Sequence, residues 1–364
     1  MSYSLSKIIV GLSGGVDSSV AALLLKQAGH PITAVFMKNW EEDDSEGTCT
    51  AEDDLADARQ VAKALDIDLQ GVNFADQYWD KVFEYFLTEY REGRTPNPDI
   101  LCNKEIKFKA FLDFALSQGA DKIATGHYAR IAKDNGRYRL LRGKDNNKDQ
   151  SYFLCALNQH QLSHALFPVG ELEKSKVREL AKANSLITHN KKDSTGICFI
   201  GERDFKDFLQ KYLPAQPGEI RVLDNEDIIG QHDGLMYYTL GQRQGLKIGG
   251  LKDYADEPWY VAHKDLTQNI LYVVQGSHHA ALYQSKVVFA DINWINEKPT
   301  STPFSCTART RYRQPDTVCQ ITGLDQQGGT VIFEQPQWAV TPGQSIVFYQ
   351  GEECLGGGII QSAE

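Results

Sequence analysis

KIIVGLSGGVDSSVAALLLKQAG (residues 7–29) is the stretch of sequence that decides how this chain folds. Lys7–Leu12 is a short apolar run rich in β-branched residues, which predicts a buried strand. Val16–Ala28 has helical spacing of apolar residues and is followed by Gly29, a residue type that commonly ends helices. The serine and glycines between the two elements predict a sharp turn, in which the backbone can approach a ligand closely.

The same alternation continues through the first half of the chain. Strand-like runs at 32–37, 69–74 and 122–126 alternate with helix-like stretches at 51–65, 77–92 and 104–117. Strands that alternate with helices of this length predict a parallel sheet covered on both faces, with right-handed crossovers. We therefore expect a Rossmann-like α/β domain.

The pattern changes after about residue 210, where a helix-like stretch ends at Leu213 and PAQPGE (214–219) is typical of a linker. Short strand-like runs follow: IRVL, GLMYYTL, PWYVA and ILYVV, then KVVFADINW, PFSCTARTRYR, TVCQITGL, GTVIFE, SIVFYQG and GGGII. Such runs predict small β domains. We expect a catalytic domain at 1–213, a small mixed, mostly β domain at 214–276, and an antiparallel β-barrel at 277–364.

Composition limits the classes of partner. The chain has 364 residues with 38 basic and 48 acidic side chains, a net charge of −10, which argues against a general nucleic-acid coat protein or a membrane-surface binder. The charge is uneven, however. Residues 41–100 hold 17 acidic and 5 basic side chains, whereas 101–150 hold 11 basic and 6 acidic. A local basic face around 101–150 is compatible with binding one nucleic-acid molecule at a time.

The cysteine pattern indicates a reducing compartment. There are seven cysteines, an odd number without a CxxC pair: Cys49, Cys102, Cys155, Cys198, Cys306, Cys319 and Cys354. Neither a secreted disulfide framework nor a structural zinc site is expected. The N-terminus lacks a signal-peptide pattern, and there is no run of about 18 apolar residues, so we expect a cytoplasmic protein without a membrane span.

Two cysteines stand in polar, loop-like surroundings. Cys102 follows RTPNPD, whose prolines allow a helix to begin near Asp99, so the helix dipole and Lys104 would favour its thiolate. Cys198 follows two lysines and lies between glycines in KKDSTGICFIG. The other five cysteines are better explained as small buried hydrophobic residues.

The glycine-rich loop GLSGGVDSS (11–19) matches neither GxxxxGK[ST] nor GxGxxG. An ordinary turn capped near Asp17 or Ser18 would explain it, but so would a phosphate site at a helix N-terminus. Its SGGVDS string resembles the PP-loop of ATP pyrophosphatases, which cleave ATP between the α and β phosphates and adenylate a carbonyl oxygen.

A more specific resemblance, to the bacterial tRNA-specific 2-thiouridylases, runs in order along nearly the whole chain. It rests on GLSGGVDSS (11–19), FMKNWEEDD (36–44), GRTPNPDILCNKEIKF (93–108), ATGHYAR (124–130), KDQSYFL (148–154), DSTGICFIGER (193–203), TLGQRQGL (239–246) and TPGQS (341–345). This family replaces an oxygen of the wobble uridine in tRNA anticodons with sulfur.

The resemblance implies that ATP adenylates the C2 oxygen of uridine. It further implies that Cys198 carries sulfur as a persulfide, that Cys102 is the paired nucleophile, and that a Cys102–Cys198 disulfide is the by-product. Asp99 is similar to the family's acid/base residue. ATP with Mg²⁺, a tRNA and a sulfur-relay or cysteine desulfurase donor are the implied partners of a monomeric enzyme, and we expect no tightly bound protein metal site.

The resemblance also implies binding residues. The ATP pocket would comprise Gly11, Leu12, Ser13, Gly14, Gly15, Val16, Asp17, Ser18, Met37 and Gly126. The target base would meet Asn97, Pro98 and Asp99, and other tRNA contacts would be His127, Lys148, Asp149, Gln150, Arg311, Tyr312 and Gln344. Two alternatives stay open here: His127 as a satisfied buried histidine, and Arg311–Tyr312 as an ordinary strand surface.

Two other functions fit part of the sequence. A PP-loop ligase that activates a carboxylate or carbonyl for attack by an amine needs neither two loop cysteines nor an extra barrel. A non-catalytic nucleotide sensor would explain the glycine-rich loop but not the pairing of Asp99 with Cys102. Thiolation of tRNA is the function that accounts for all these features.

Overall fold

A computed structural model describes residues 5–41, 50–193 and 205–364. Its strands are β1 (Ile8–Gly11), β2 (Ile32–Lys38), β3 (Leu69–Asn73), β4 (Lys122–Ala124), β5 (Ala129–Asp134), β6 (Arg137–Arg142), β7 (Ala165–Leu166), β8 (Gly218–Val222), β9 (Ile228–His232), β10 (Trp259–Asp265), β11 (Ile270–Gln275), β12 (Tyr283–Trp294), β13 (Phe304–Arg309), β14 (Thr317–Leu324), β15 (Gly328–Trp338), β16 (Ser345–Gln350) and β17 (Glu353–Ala363).

The α-helices are α1 (Val16–Gln27), α2 (Thr50–Ala64), α3 (Ala75–Tyr78), α4 (Glu84–Arg91), α5 (Pro98–Leu101), α6 (Phe111–Ser117), α7 (Gln159–His164), α8 (Lys174–Ala183) and α9 (Phe205–Gln210). π-helical stretches at Trp79–Phe83 and Cys102–Ala110 connect α3 to α4 and α5 to α6, which makes two continuous helices. Short 3₁₀ turns lie at Ser151–Leu154, Ile187–Asn190, Leu235–Tyr237 and Ala280–Leu282.

A five-stranded parallel sheet forms the centre of the first domain, in the order β3-β2-β1-β4-β7. This confirms the predicted α/β architecture. β1 is fully buried between its neighbours, and α1 packs its apolar side chains with those of α2 and α8 on one side of the sheet. The turn from β1 to α1 therefore lies at the carboxyl edge of the sheet, where ligands of open parallel sheets bind.

A hairpin of the first domain, formed by β5 and β6, joins the last domain. β6 pairs with β17 through Leu141↔Glu353 and Leu140↔Cys354, so the hairpin extends the barrel sheet at its edge. The sequence analysis did not predict these two strands. They are separated by Asn135–Gly136, both at positive φ, the dipeptide that favours a tight hairpin turn.

The central domain is a four-stranded mixed sheet in the order β10-β11-β8-β9, with β11 and β8 parallel. The predicted strand GLMYYTL is wrong: this stretch is a 3₁₀ turn at Leu235–Tyr237 followed by an irregular segment. The hydroxyl of Tyr237 donates to the Leu213 carbonyl at 2.6 Å, so this apolar run buries its aromatic ring without pairing as a strand. β9, just before it, was not predicted.

The C-terminal domain is an antiparallel barrel, as predicted. Its strands follow the order β12-β15-β14-β13-β16-β17, and pairing of β12 with β17 closes it. β13 ends at Arg309, so Arg311 and Tyr312 lie in the following loop and not, as predicted, on a strand. Within the described parts of the chain, no helix combines the length and apolarity that crossing a membrane requires.

Candidate active site

The loop between β1 and α1 is built as a backbone cradle. Gly14 has φ +75°, and a Cβ there would lie 2.3 Å from the carbonyl oxygen of Asp54, so only glycine fits. The hydroxyl of Ser18 accepts from the backbone N–H of Ser13 at 3.2 Å and donates to the Gly15 carbonyl at 3.1 Å. These bonds fix the turn at the start of the twelve-residue helix α1. Its N-cap residue Gly15 makes no side-chain cap hydrogen bond, and a helix N-terminus without a side-chain cap suits phosphate.

Two further predicted pocket residues lie against this loop. Gly126, just after β4, approaches the start of α1 so closely that a Cβ would lie 2.6 Å from the backbone nitrogen of Ser18. At the end of β1, a Cβ on Gly11 would lie 3.1 Å from Cε of Met37 on β2. The structure thus brings the predicted ATP residues together at the carboxyl edge of neighbouring strands.

A lysine that the sequence analysis missed lies beside the loop. Lys174, at the start of α8 and largely buried, places Nζ 2.8 Å from both carboxylate oxygens of Asp17 and 2.7 Å from Oδ1 of Asp193. Tyr128 donates its hydroxyl proton to Asp17 at 2.7 Å. No local pattern distinguishes Lys174 from other helix-start lysines, because its two acidic partners are far away in sequence.

Three basic side chains surround Asp193, the residue at which the described range 50–193 ends. Lys148 donates to its Oδ2 at 2.6 Å, and Arg178 lies 3.0 Å from its Oδ1. Burial acts to raise the pKa of Asp193, but the hydrogen bonds from Lys148 and Lys174 outweigh it and lower that pKa to about 2. Cys198, predicted to carry the sulfur, lies outside the described residues.

The helix that carries Cys102 begins where the prolines predicted. Pro98 is its first residue, and the side chain of Asn97 caps it by accepting from the backbone N–H of Asp99 at 3.2 Å. Cys102 is the fifth residue of this helix and is only 1% exposed, so the predicted loop-like setting is corrected to a buried helical one. Burial raises the pKa of Asp99, and Lys107 partly opposes that shift.

His127 lies just after β4 and is almost fully buried. Its Nδ1 is 2.7 Å from Oγ1 of Thr125, and its ring packs against Phe108 and Phe167. Burial, reinforced by Lys107, holds the imidazole pKa well below its usual value, so the ring is neutral at pH 7. This placement favours the alternative of a satisfied buried histidine.

Asp149 is the centre of a buried polar cluster. Its carboxylate accepts from the backbone N–H groups of Gly143 and Ser151 at 3.0 and 3.1 Å, and from Nη1 of Arg142 at 3.2 Å. Arg142 also donates to Asp316 at 2.7 Å and lies over the ring of Tyr349. The cluster therefore joins the β5–β6 hairpin to the barrel, a structural role for a residue that the resemblance assigns to tRNA.

We expect Asp149→Ala to lower the free energy of unfolding by about 3 kcal/mol, the low end for breaking a buried ion pair, since Asp316 still pairs with Arg142. Urea unfolding monitored by circular dichroism measures this. Asp134→Ala, an exposed carboxylate at the hairpin tip, should change the free energy of unfolding by less than about 0.5 kcal/mol. Unchanged stability of Asp149→Ala, together with weakened tRNA binding, would instead favour the predicted RNA contact.

The remaining predicted RNA residues are also engaged within the protein. The side-chain oxygen of Gln150 accepts from the backbone N–H of Tyr128 at 2.9 Å. Nη2 of Arg311 donates to the carbonyls of Leu240 and Ala339, at 2.7 and 2.9 Å, and to Oγ1 of Thr341, at 2.8 Å. The ring of Tyr312 packs on Phe153, with 4.3 Å between ring centroids. Nε2 of Gln344 donates to the carbonyls of Thr95 and Pro96 at 2.8 and 3.2 Å.

Four of the cysteines predicted to be small buried hydrophobic residues are confirmed as such, namely Cys155, Cys306, Cys319 and Cys354. Burial raises the pKa of the Cys155 thiol to about 12, which keeps it protonated and unreactive at neutral pH. Cys49 lies outside the described residues. Among the described residues, no three His, Cys, Asp or Glu side chains form a cluster that could hold a metal ion.

Comparison with known proteins gives matches along the whole chain. Residues 6–202 match a family model described as tRNA methyl transferase HUP domain, 206–275 a tRNA methyl transferase PRC-barrel domain, and 284–360 an aminomethyltransferase β-barrel domain. The chain is 60% identical over 362 residues to the tRNA-specific 2-thiouridylase MnmA of Salmonella arizonae, covering 99% of this chain and 98% of that one. It is 58% identical over 359 residues to the MnmA protein of Marinobacter nauticus, with 98% and 91% covered, and 59% identical over 359 residues to that of Pseudomonas putida, with 99% and 96% covered.

Proposed function

The chain belongs to the family of tRNA-specific 2-thiouridylases, and from that membership we propose that it replaces the C2 oxygen of a wobble uridine in tRNA with sulfur, at the expense of ATP. The observation that carries the proposal is that one domain holds both a turn whose geometry suits phosphate, Ser13–Ser18, and the buried helical Cys102. An adenylating site and a nucleophilic sulfur are the two components that this exchange of atoms needs.

The first step is adenylation. The C2 oxygen of uridine attacks the α-phosphorus of ATP, and pyrophosphate leaves. The Ser13–Ser18 turn would hold the departing pyrophosphate, because helix-terminal amides stabilise the charge that grows there in the transition state. Adenylation is needed because the carbonyl oxygen is a poor leaving group, whereas AMP is a good one. Mg²⁺ would accompany the nucleotide phosphates.

The second step exchanges oxygen for sulfur. The terminal sulfur of a Cys198 persulfide attacks C2, and AMP leaves with the former C2 oxygen. The Cys102 thiolate then attacks Sγ of Cys198, which releases the sulfur on the base and forms a Cys102–Cys198 disulfide. In the other order, Cys102 first releases hydrosulfide from Cys198, and the hydrosulfide attacks C2. In both orders a cellular thiol must reduce the disulfide, and a sulfur-relay protein or cysteine desulfurase must reload Cys198.

Asp99 is suited to moving protons beside the base. It lies three residues before Cys102 in the same helix, and its burial raises its pKa toward the range in which a carboxyl can both donate and accept a proton. Asn97 and Pro98 precede it at the helix start. We propose that these three residues receive the flipped uridine.

We propose that the exposed members of the predicted RNA set contact the anticodon loop directly. The Lys148 side chain is 39% exposed and pairs with Asp193 at 2.6 Å. His127 and Asp149 are buried, so their contribution to RNA binding would be to shape the surface around them. The enzyme would act in the cytoplasm on one tRNA at a time.

The test is an in vitro reaction of the full chain with ATP, an unmodified tRNA transcript, a persulfide donor and a thiol reductant. We expect tRNA-dependent release of AMP and pyrophosphate, and a target uridine whose mass has gained the difference between sulfur and oxygen. ADP and phosphate as products would rule out adenylation.

Three outcomes separate the alternatives. Pyrophosphate release without tRNA would favour a ligase, and ATP binding without turnover would favour a sensor. With S-adenosylmethionine added as a methyl donor, a uridine in which a methyl group replaces a hydrogen would instead favour a methyl transferase, the activity named in the description of the matched family model.

A further inference from the structure

Two turns of the same sequence pattern, T-x-G-Q, meet beside the segment that precedes Cys102. Thr239–Gln242 belongs to the central domain and Thr341–Gln344 to the barrel domain. Both glycines have positive φ, +77° at Gly241 and +91° at Gly343, so the two turns have related backbone shapes. The resemblance implies a tRNA contact for Gln344 in the second turn and no role for the first turn.

The barrel turn and the central turn hold one threonine between them. The backbone N–H of Thr95 donates to the Pro342 carbonyl at 2.9 Å, and its carbonyl accepts from Gln344 at 2.8 Å. Its hydroxyl is 3.3 Å from that of Thr239. A Cβ on Gly343 would lie 2.9 Å from the Thr95 nitrogen, which shows how closely the two backbones approach.

Arg311 ties these turns together. Its Nη2 lies between the Leu240 carbonyl in one turn, the Ala339 carbonyl just before the other, and Oγ1 of Thr341. The guanidinium is half-buried and lies 5.5 Å from the ring of Trp338. Because one guanidinium donates to acceptors in both the central and the barrel domain, it fixes the position of these two domains relative to each other.

Tyr312, the next residue, is linked through Phe153 to the residue that follows Cys102. Its ring packs on Phe153, with 4.3 Å between ring centroids, and the Phe153 carbonyl accepts from Nδ2 of Asn103 at 3.0 Å. Asn103 directly follows Cys102 in the helix. The loop after β13 therefore touches structures on both flanks of the cysteine, through the T-x-G-Q turns before it and through Phe153 after it.

We propose that Arg311 is a positioning residue, which sets the place of the Asp99–Cys102 helix through the two T-x-G-Q turns. Its main contribution is then to the arrangement of the thiol and not to tRNA affinity. The effect on turnover rests on the proposed function, whereas the effect on the environment of the Cys102 thiol does not.

The experiment measures both quantities on Arg311→Met in the full chain. Alkylation of Cys102 by iodoacetamide, measured by mass spectrometry of its peptide, should become at least about tenfold faster. The kcat for thiolation should fall by a similar factor, because a small displacement of a reacting group costs up to about a hundredfold in rate. The tRNA Kd should stay within about twofold, since no direct RNA contact is lost. Arg311→Lys, which keeps a donor at this place, should bring both the alkylation rate and kcat part of the way back to their wild-type values.

Two further variants keep the test sharp. Arg313→Met removes a neighbouring exposed arginine and should leave Cys102 alkylation at the wild-type rate. Gln344→Leu removes the bonds to Thr95 and Pro96 and should reproduce the Arg311→Met pattern, which guards against a misfolded first variant.

Faster alkylation in Arg311→Met, without any measurable thiolation by the wild type, would support the positioning role while overturning the proposed function. A tRNA Kd weakened tenfold with unchanged Cys102 alkylation, or unchanged alkylation and turnover in folded protein, would overturn the positioning role.

Discussion

Cys102→Ser should reduce thiolation of an unmodified tRNA transcript by at least about a thousandfold, since loss of a covalent nucleophile costs more than this in well-studied enzymes. Serine nearly matches cysteine in size, so it fits the same buried helical position. Its hydroxyl, however, remains protonated at neutral pH and cannot form the disulfide that releases the sulfur. Cys198→Ser should have the same effect, because no persulfide can form. Quantitative mass spectrometry of digested tRNA measures the product.

Pyrophosphate release separates this effect from general damage. Adenylation precedes the sulfur step, so both serine variants should still release pyrophosphate in a single turnover with tRNA and ATP. Cys155→Ala is the matched control, because Cys155 is equally buried and its thiol stays protonated. It should thiolate within about twofold of the wild type if it folds. Near-normal thiolation by either serine variant, with a sulfur donor present, would show that the proposed cysteine roles are wrong.

Gly126→Ala should lower tRNA-dependent pyrophosphate release by at least about a hundredfold. The added Cβ would lie 2.6 Å from the backbone nitrogen of Ser18 and 2.7 Å from the backbone carbon of Asp17, so the start of α1 must shift. Those backbone atoms shape the turn that we propose holds the phosphates, and a displacement near 1 Å can cost about a hundredfold in rate. The initial rate of pyrophosphate release at saturating tRNA is the measurement.

The matched control is Gly71→Ala on β3 of the same sheet, where a Cβ would meet open space. It should release pyrophosphate at the wild-type rate. Melting curves of both variants show whether each is folded, and tRNA binding by Gly126→Ala should persist, because the change lies in the nucleotide cradle. A folded Gly126→Ala enzyme with normal pyrophosphate release would remove Gly126 from the ATP site.

The parallel sheet and the glycine-rich turn after β1 were predictable because their signals are local. β1, the glycine-rich turn and α1 occupy one short stretch, and the periodicity of apolar residues changes within it. The Asn135–Gly136 hairpin had an equally local signal that was overlooked. The run GLMYYTL misled because its apolar residues satisfy a tertiary contact, the bond from Tyr237 to Leu213, and a sequence window cannot show this.

The site was predictable in part, and the limit has one physical cause. A polar side chain can contact either RNA or other groups of the protein. Which of the two it contacts depends on protein partners that can be distant in sequence. The acceptor of Arg311 in the first T-x-G-Q turn lies 71 residues earlier, and Lys174 pairs with Asp17 157 residues away. Prolines before Cys102 predicted where its helix begins, but the depth of its burial depends on packing from the whole domain.

The β5–β6 hairpin has a consequence for how the molecule is made. Arg139 of this hairpin donates to Glu353 at 2.8 Å, across 214 residues of sequence, and the edge of β6 that faces away from β5 pairs with β17. During synthesis on the ribosome, which proceeds from the N-terminus, that strand edge stays unpaired until β17 has emerged. The first domain therefore completes this hairpin's pairing only once the barrel strand β17 is available, and a chain cut short before β17 would present a bare sheet edge of the kind that promotes aggregation.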